Sequence, residues 1–207
     1  MDAHLPPSGP PSGPPSDARK LALRDQLVTT RRRLSLVERS TAARALADRL
    51  LETPELRRAG SIAAYVSMPS EPGTGPLIEA LSGLGRRVLL PVLLPDLDLD
   101  WAVYAGPGDL AAAGRGLLEP SGRRLGPDAV ATADVVLVPA LAVDRRGQRL
   151  GKGGGSYDRA LGRVPVGTFV CALLHDGKLL EEVPVEAHDR PVTAVATPTG
   201  VVRLPRR

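Results

Sequence analysis

The residues best suited to chemistry lie in one segment, Val138 to Arg159, which reads VPALAVDRRGQRLGKGGGSYDR. Within it Gly151, Gly153, Gly154 and Gly155 fill four of five positions, flanked by Arg149, Leu150, Lys152, Ser156, Tyr157 and Asp158. Neighbouring glycines let the backbone take positive φ and approach a ligand closely, and the start of a following helix offers N–H groups to phosphate oxygens. Arg149 and Lys152 supply the countercharge. Neither of two familiar phosphate loops fits. A Walker A loop has four residues between its glycines and a Lys followed by Ser or Thr, whereas Gly147 and Gly151 enclose three residues and Lys152 precedes Gly153. A dinucleotide fingerprint needs a glycine where Ser156 stands, and a strand leading straight into the loop; here about a dozen residues intervene. A surface linker has no need of Arg149, Lys152, Tyr157 and Asp158 beside its glycines, so phosphate binding is the favoured reading.

The elements that must position this loop are readable from periodicity. Residues 1–17, MDAHLPPSGPPSGPPSD, form a Pro/Gly/Ser-rich tail expected to be disordered, and residues 18–207 are expected to form one domain. Leu21, Leu23, Leu27, Val28 and Leu34 fall near helical spacing over Ala18 to Leu34, with Asp17 as a cap; Lys20 and Arg24, at i and i+4, share one face of that helix. A second helix starts at Ser35 or Ser40, buries Leu36, Val37, Ala43, Leu46, Ala47 and Leu50, and is limited by Pro54. Short apolar strands follow at Ser61–Val66, Arg87–Val92, Asp100–Tyr104, Asp134–Pro139, Thr168–Leu174 and Val192–Thr197, with helices at Gly75–Ser82 and Gly155–Leu161. Runs such as Val135 to Val138 imply burial on both sheet faces, hence an α/β domain with a mainly parallel sheet flanked by helices and two helices at its N-terminus.

Composition narrows the function. Of 207 residues, 43% are hydrophobic and 24% charged, as in ordinary globular proteins. No apolar run reaches the roughly 18 residues of a membrane span, and the N-terminus lacks the order of a secretory signal, so a cytoplasmic protein is expected. Cys171 is the only cysteine, which excludes internal disulfides and multi-cysteine zinc sites. Its apolar surroundings make it a buried small side chain. The formal net charge of +4 is uneven: residues 18–58 hold 11 basic and five acidic side chains, while residues 59–207 hold 16 of each. Such a local field suits a polyanion. Five scattered aromatic residues give no platform for stacking bases, so small polyanions are favoured over nucleic acid. Arg31, Arg32 and Arg33 point in different directions around a helix and read as solvated; His175 and His188 have no partner pattern.

The segment Asp144 to Arg159 resembles the signature of the 5-formyltetrahydrofolate cyclo-ligase family, approximately D-x-x-G-x-R-L-G-x-G-x-G-Y-Y-D. Other landmarks occur in the family's order: Lys20 to Arg24 (KLALR), Tyr65 to Glu71 (YVSMPSE), Leu90-Pro91, Gly116 to Pro120 (GLLEP) and Asp189 to Val192 (DRPV). The resemblance covers residues 18 to about 200. It implies ATP- and magnesium-dependent conversion of 5-formyltetrahydrofolate to 5,10-methenyltetrahydrofolate: the formyl oxygen is phosphorylated, the neighbouring folate nitrogen closes the ring, and ADP and phosphate leave. The expected partners are a reduced folate and ATP, with neither nucleic acid nor membrane, and a monomer is the expected state. A non-catalytic nucleotide- or folate-binding protein on the same scaffold is the alternative.

By that resemblance Lys20, Leu21, Ala22, Leu23 and Arg24, with Arg149 through Tyr157, bind ATP, and Lys152 and Arg149 stabilise the transferring phosphoryl group. Asp158 and Asp189 are the magnesium positions, oxygen donors of the type that ion prefers. Helix capping by Asp158, a turn role for Asp189 and an Arg149–Asp144 ion pair are the structural alternatives. Val66, Glu71 and Tyr157 would hold the folate, Glu71 accepting the paired N–H donors of the pterin edge; Met68 reads as core or pocket wall. The chain departs from the family pattern where Ser156 stands in place of a first tyrosine and where Val92 follows Leu90-Pro91 in place of a basic residue.

Overall fold

The computed structural model describes residues 16–205. In chain order its elements are α1 (Ser16–Arg32), α2 (Leu36–Leu51), α3 (Pro54–Arg58), β1 (Ser61–Ala63), α4 (Gly75–Gly83), β2 (Arg87–Leu93), β3 (Leu99–Val103), β4 (Leu110–Ala112), β5 (Leu118–Pro120), β6 (Val135–Pro139), β7 (Ala142–Asp144), β8 (Arg149–Leu150), α5 (Ser156–Leu161), β9 (Phe169–Leu173), β10 (Leu179–Leu180), β11 (Ala194–Thr197) and β12 (Gly200–Arg203), with short 3-10 turns between some of them. Seven strands form the main sheet in the order β12-β11-β9-β6-β1-β2-β3. Its five inner strands run parallel and both edge strands antiparallel to their neighbours. This is the expected mainly parallel α/β architecture. A three-stranded sheet, β10-β7-β8, and the β4-β5 hairpin stand beside it.

Side-chain alternation divides the core between the two faces of the main sheet. Ile62, Ala64, Val135 and Leu137 meet Leu46, Leu50, Leu77 and Leu81 of α2 and α4 on one face. Ala63, Val136 and Val138 meet Trp101, Val130, Ala160 and Leu161 on the other. A third cluster, Leu27 with Leu141, Ala142, Leu150 and Val183, fastens α1 to the three-stranded sheet.

Ser35 opens α2 through a reciprocal capping box: its Oγ accepts the Glu38 N–H at 3.2 Å while Glu38 Oε2 accepts the Ser35 N–H at 2.8 Å. Pro54, beyond the end of α2, opens α3 behind the Thr53 cap. Leu36 and Val37, expected inside, are 77% and 75% exposed: Val37 falls off the helix face that buries Ala43, Leu46, Ala47 and Leu50, and Leu36 lies about two turns before the first of them. α1 begins at Ser16, so Asp17 lies within the helix rather than capping it; the rest of the expected tail, residues 1–15, lies outside the described residues. β1 ends at Ala63, Ala64 still donates to the Leu89 carbonyl, and beyond it Tyr65, Val66, Met68 and Glu71 leave the ladder to line the site. No helix among the described residues is long and apolar enough to cross a membrane.

Candidate active site

Parallel strands leave a crevice at their carboxyl ends, and the site occupies it. A cleft of about 1100 Å³ opens beyond β1, β6 and the β7-β8 hairpin, bounded by α1, the glycine loop and the segment Glu186–Arg190. On α1, residues 20, 24, 27 and 31 fall within a narrow arc at about 100° per residue. Docking of Leu27 on its cluster therefore turns Lys20, Arg24 and Arg31 toward the cleft.

The glycine loop is held by arginines. Arg24 donates from Nε to the Gly151 carbonyl at 3.1 Å. A Cβ on Gly151 would sit 2.9 Å from Arg149 Nη1, and Gly153 has φ +98° with the Arg24 guanidinium carbon 3.4 Å from where its Cβ would be. Glycine at both positions lets the two guanidinium groups lie against the loop. Arg149, 6% exposed, pairs through Nη2 with Asp158 Oδ1 at 2.8 Å, lies 5.9 Å from the Tyr157 ring centre, and has no partner for its Nε among the described residues. Its carboxylate partner is thus Asp158 and not Asp144. Asp144 instead closes the β7-β8 turn, accepting the Arg146 and Gln148 N–H groups at 2.8 and 2.9 Å.

Lys152 reaches across the cleft. Its Nζ is 2.8 Å from Glu71 Oε1 and 3.0 Å from the Met68 sulfur, so the glycine loop and the segment after β1 meet at this ion pair. Glu71 is buried, and its second oxygen accepts the Met68 N–H at 2.9 Å. Tyr157 stands edge-on to Tyr65, ring centres 6.5 Å apart. Burial first, then the charge of Glu71, pushes both phenols well up, so both stay protonated hydrogen-bond donors.

The carboxylates expected to hold metal share one wall. Asp158 Oδ1 accepts the backbone N–H of Arg190, the residue after Asp189, at 3.2 Å. Asp189 Oδ2 accepts from Lys20 Nζ at 2.7 Å and from the Glu186 N–H at 2.7 Å, and Lys20 also pairs with Glu186 at 3.0 Å. Burial raises the pKa of Asp189, but the hydrogen bond from Lys20 and further contacts outweigh it, and the carboxyl lies below its ordinary value. Glu186, His188 and Asp189 bring ligand atoms within 4.8 Å of one another. Glu186 and Asp189 offer there the hard oxygen donors that suit a magnesium ion carried with phosphates, His188 offers nitrogen, and Asp158, paired with Arg149, stands outside that group.

Most expected site residues converge. Lys20, Arg24, Val66, Glu71, Arg149 through Tyr157, Asp158 and Asp189 all line the cleft. Leu21, Ala22 and Leu23 do not: Leu21 and Ala22 are exposed, and Leu23 packs against the third apolar cluster. Lys20 is buried against two carboxylates instead of facing solvent. Arg31, expected to be solvated, is 3% exposed, lines the cleft and donates to the Ala140 carbonyl. Its spacing of seven from Arg24 and 11 from Lys20, on the face that carries Leu27, was the available signal. Glu119, within the GLLEP landmark, lines the cleft and accepts the Leu93 N–H at 2.9 Å.

Comparison with known proteins points the same way. A sequence profile of the 5-formyltetrahydrofolate cyclo-ligase family matches residues 16–198. The 5-formyltetrahydrofolate cyclo-ligase of Mycolicibacterium smegmatis is 44% identical over 192 residues, covering 89% of this chain and 97% of that protein. The enzyme of the same name from Escherichia coli K12 is 35% identical, covering 83% and 96%. The solution structure of Aquifex aeolicus 5,10-methenyltetrahydrofolate synthetase superposes with a TM-score of 0.78 at 28% identity, covering 91% of this chain and 94% of that one. With a glycine loop, a buried acid and a carboxylate wall assembled in one cleft of that fold, the chain belongs to the 5-formyltetrahydrofolate cyclo-ligase family.

Proposed function

We propose that the protein converts 5-formyltetrahydrofolate to 5,10-methenyltetrahydrofolate with consumption of ATP. The observation that carries this reading is the 2.8 Å ion pair between Lys152 and Glu71. It brings a lysine of the phosphate-type loop against a buried carboxylate suited to the N–H edge of a pterin, so the two substrates meet where that pair now stands.

The chemistry explains why both are needed. A formamide oxygen is a poor leaving group. Attack of that oxygen on the γ-phosphorus breaks the bond to ADP, which departs with the electron pair. The folate N10 then adds to the activated carbon and loses its proton, and phosphate leaves carrying the former formyl oxygen. No protein nucleophile is required. Lys152 and Arg149 neutralise charge spread over the transferring group, Arg24 holds the loop, and Glu71 with Val66 and Tyr157 holds the ring. The side chain of Arg149 has an N–H to spare, since its Nε is buried without a partner. Asp158 and Asp189, with Glu186 and His188 beside them, are the residues that would hold magnesium, which would supply further charge neutralisation at the phosphates. Leu21, Ala22 and Leu23 act through the helix that carries Lys20 and Arg24.

A monomer is the proposed working unit, and consumption of ATP supports the cytoplasm as its compartment. Lys20, Arg24 and Arg31 turn into the cleft, which supports a small polyanion over nucleic acid as the target of the N-terminal basic cluster. The test is the near-ultraviolet absorbance of the methenyl product, followed with and without ATP, alongside release of ADP and phosphate. An ATP-dependent rise with one ADP per product is expected. ATP binding without turnover would replace this reading with the non-catalytic one.

A further inference from the structure

Besides Arg149 beside the glycine loop, two buried side chains in the cleft lack a full set of partners among the described residues. Arg31 is 3% exposed and uses Nη2 on the Ala140 carbonyl, but its Nε has no partner among the described residues. Tyr65, also 3% exposed, has no partner for its hydroxyl among the described residues. Both line the cleft, as does the buried Glu71. A buried N–H or O–H without an acceptor is destabilising, so paired orphans facing one cavity point to an acceptor carried by a ligand.

Topology brings the three groups together. Tyr65 and Glu71 follow β1, Ala140 follows β6, and the two strands are neighbours. Burial lowers the proton affinity of Arg31 while Tyr65 and Glu71 oppose that shift, which sets all three within electrostatic reach. The phosphate end of the cleft is elsewhere. Arg24 touches the glycine loop, and Arg31 lies about 10 Å further along α1 at 1.5 Å per residue. Two donors beside a carboxylate complement a ligand edge that carries an acceptor next to N–H donors. The 2-amino-4-oxo edge of a reduced folate has that order.

We propose, resting on the folate reading above, that Arg31 and Tyr65 are specificity-determining residues that donate to the 4-oxo oxygen while Glu71 takes the N–H donors, so that the site selects 4-oxo over 4-amino pteridines. A guanidinium has no acceptor to offer a 4-amino group, and such a ring leaves Arg31 buried and unpaired.

The test is calorimetric binding, without ATP, of 5-formyltetrahydrofolate and its 4-amino-4-deoxy counterpart to the wild type, Tyr65→Phe, Arg31→Met and Arg31→Lys, together with the KM for ATP. The wild type should prefer the 4-oxo ligand by about a hundredfold or more. Tyr65→Phe should narrow that ratio by about tenfold and Arg31→Met by more, through weaker 4-oxo binding, with partial recovery in Arg31→Lys and the KM for ATP within about twofold throughout. Equal weakening of both ligands, the mark of a merely structural role, would overturn the assignment. So would a rise confined to the KM for ATP, which would make Arg31 a phosphate ligand. Should Arg31→Met fail to fold by circular dichroism, Tyr65→Phe, which removes a single oxygen, decides by the same ratio. A wild type that binds neither folate sinks the proposed function itself, whereas tight 4-oxo binding with an unchanged ratio in the variants sinks only this inference.

Discussion

In the proposed reaction Lys152 carries the heaviest demand of any single residue, because there it leaves Glu71 when the pterin edge arrives and then faces the transferring phosphoryl group. Its side chain is 45% exposed, so removing it leaves the core untouched. Lys152→Ala should lower kcat by about 10²–10³-fold with an unchanged circular dichroism spectrum and, since Glu71 loses its cation, a lower unfolding midpoint, the rate being read at saturating substrate. A loss below about threefold would remove Lys152 from the site chemistry. Asp134 works at the opposite end of the sheet. Its Oδ2 accepts the Gly60 N–H at 2.8 Å, the Ser61 N–H at 2.9 Å and the Ser61 hydroxyl at 3.0 Å, tying the start of β1 to the start of β6. Those bonds, the Ser61 backbone first, hold its carboxyl below the usual value. A depressed folded-state pKa gives stability that is present above the unfolded pKa and lost as pH falls through the folded one. Asp134→Asn should therefore be less stable near pH 7, by up to about 1 kcal/mol given its exposure, and match the wild type in acid once the carboxyl is protonated in the folded state. Urea midpoints across that range check the sign; a gap that widens in acid would contradict it.

The elements that hold these residues were legible wherever burial wrote a pattern. β2, β3, β6 and β9 stand within a residue of the expected spans: β2, β6 and β9 carry apolar side chains into the core on both faces, and the edge strand β3 is marked by the buried Leu99, Trp101 and Ala102. α2 was legible from Ala43, Leu46, Ala47 and Leu50, and its start from Ser35. The rest left little trace. β8 and β10 have two residues each, β12 is a half-exposed edge strand, and β4-β5 is a hairpin with exposed side chains, so none carries a hydrophobic period. Yet β8 is the element that sets Arg149 beside Asp158. The turn between β7 and β8 depends on Gly147, which has φ +84° and whose Cβ would run into the Val192 carbonyl oxygen. The Val192 N–H in turn bonds the Gly147 carbonyl at 2.9 Å, linking this turn to the segment that carries Asp189. Gly147→Ala should destabilise the fold by about 3 kcal/mol and lower turnover with it, seen as a reduced urea midpoint and specific activity in one preparation. Wild-type values for both would show that the turn tolerates a side chain and does not position the carboxylate wall.

At the scale of the whole molecule, a parallel sheet puts the ends of β1 and β6 side by side, α1 lays a cationic face over them, and the glycine loop closes one side. The linear order of motifs disclosed the family, since landmarks from Lys20 to Asp189 follow one another as the family has them. Side-chain pairing was not disclosed. Arg149 with Asp158, Lys20 with Asp189 and Lys152 with Glu71 join residues up to 169 positions apart, and only the fold chooses among cations and carboxylates of equal charge. Arg31 was hidden for a related reason: three successive arginines look alike until the docking of Leu27 selects the one that enters the cleft. The central claim is that the cleft joins the formyl oxygen to the γ-phosphate. Its most direct test is turnover of 5-formyltetrahydrofolate labelled with ¹⁸O in the formyl group, followed by mass analysis of the released phosphate. Transfer of one ¹⁸O into phosphate for each methenyl product is the expected result. Methenyl product accompanied by unlabelled phosphate would contradict the account, because the formyl oxygen would then have left by another route.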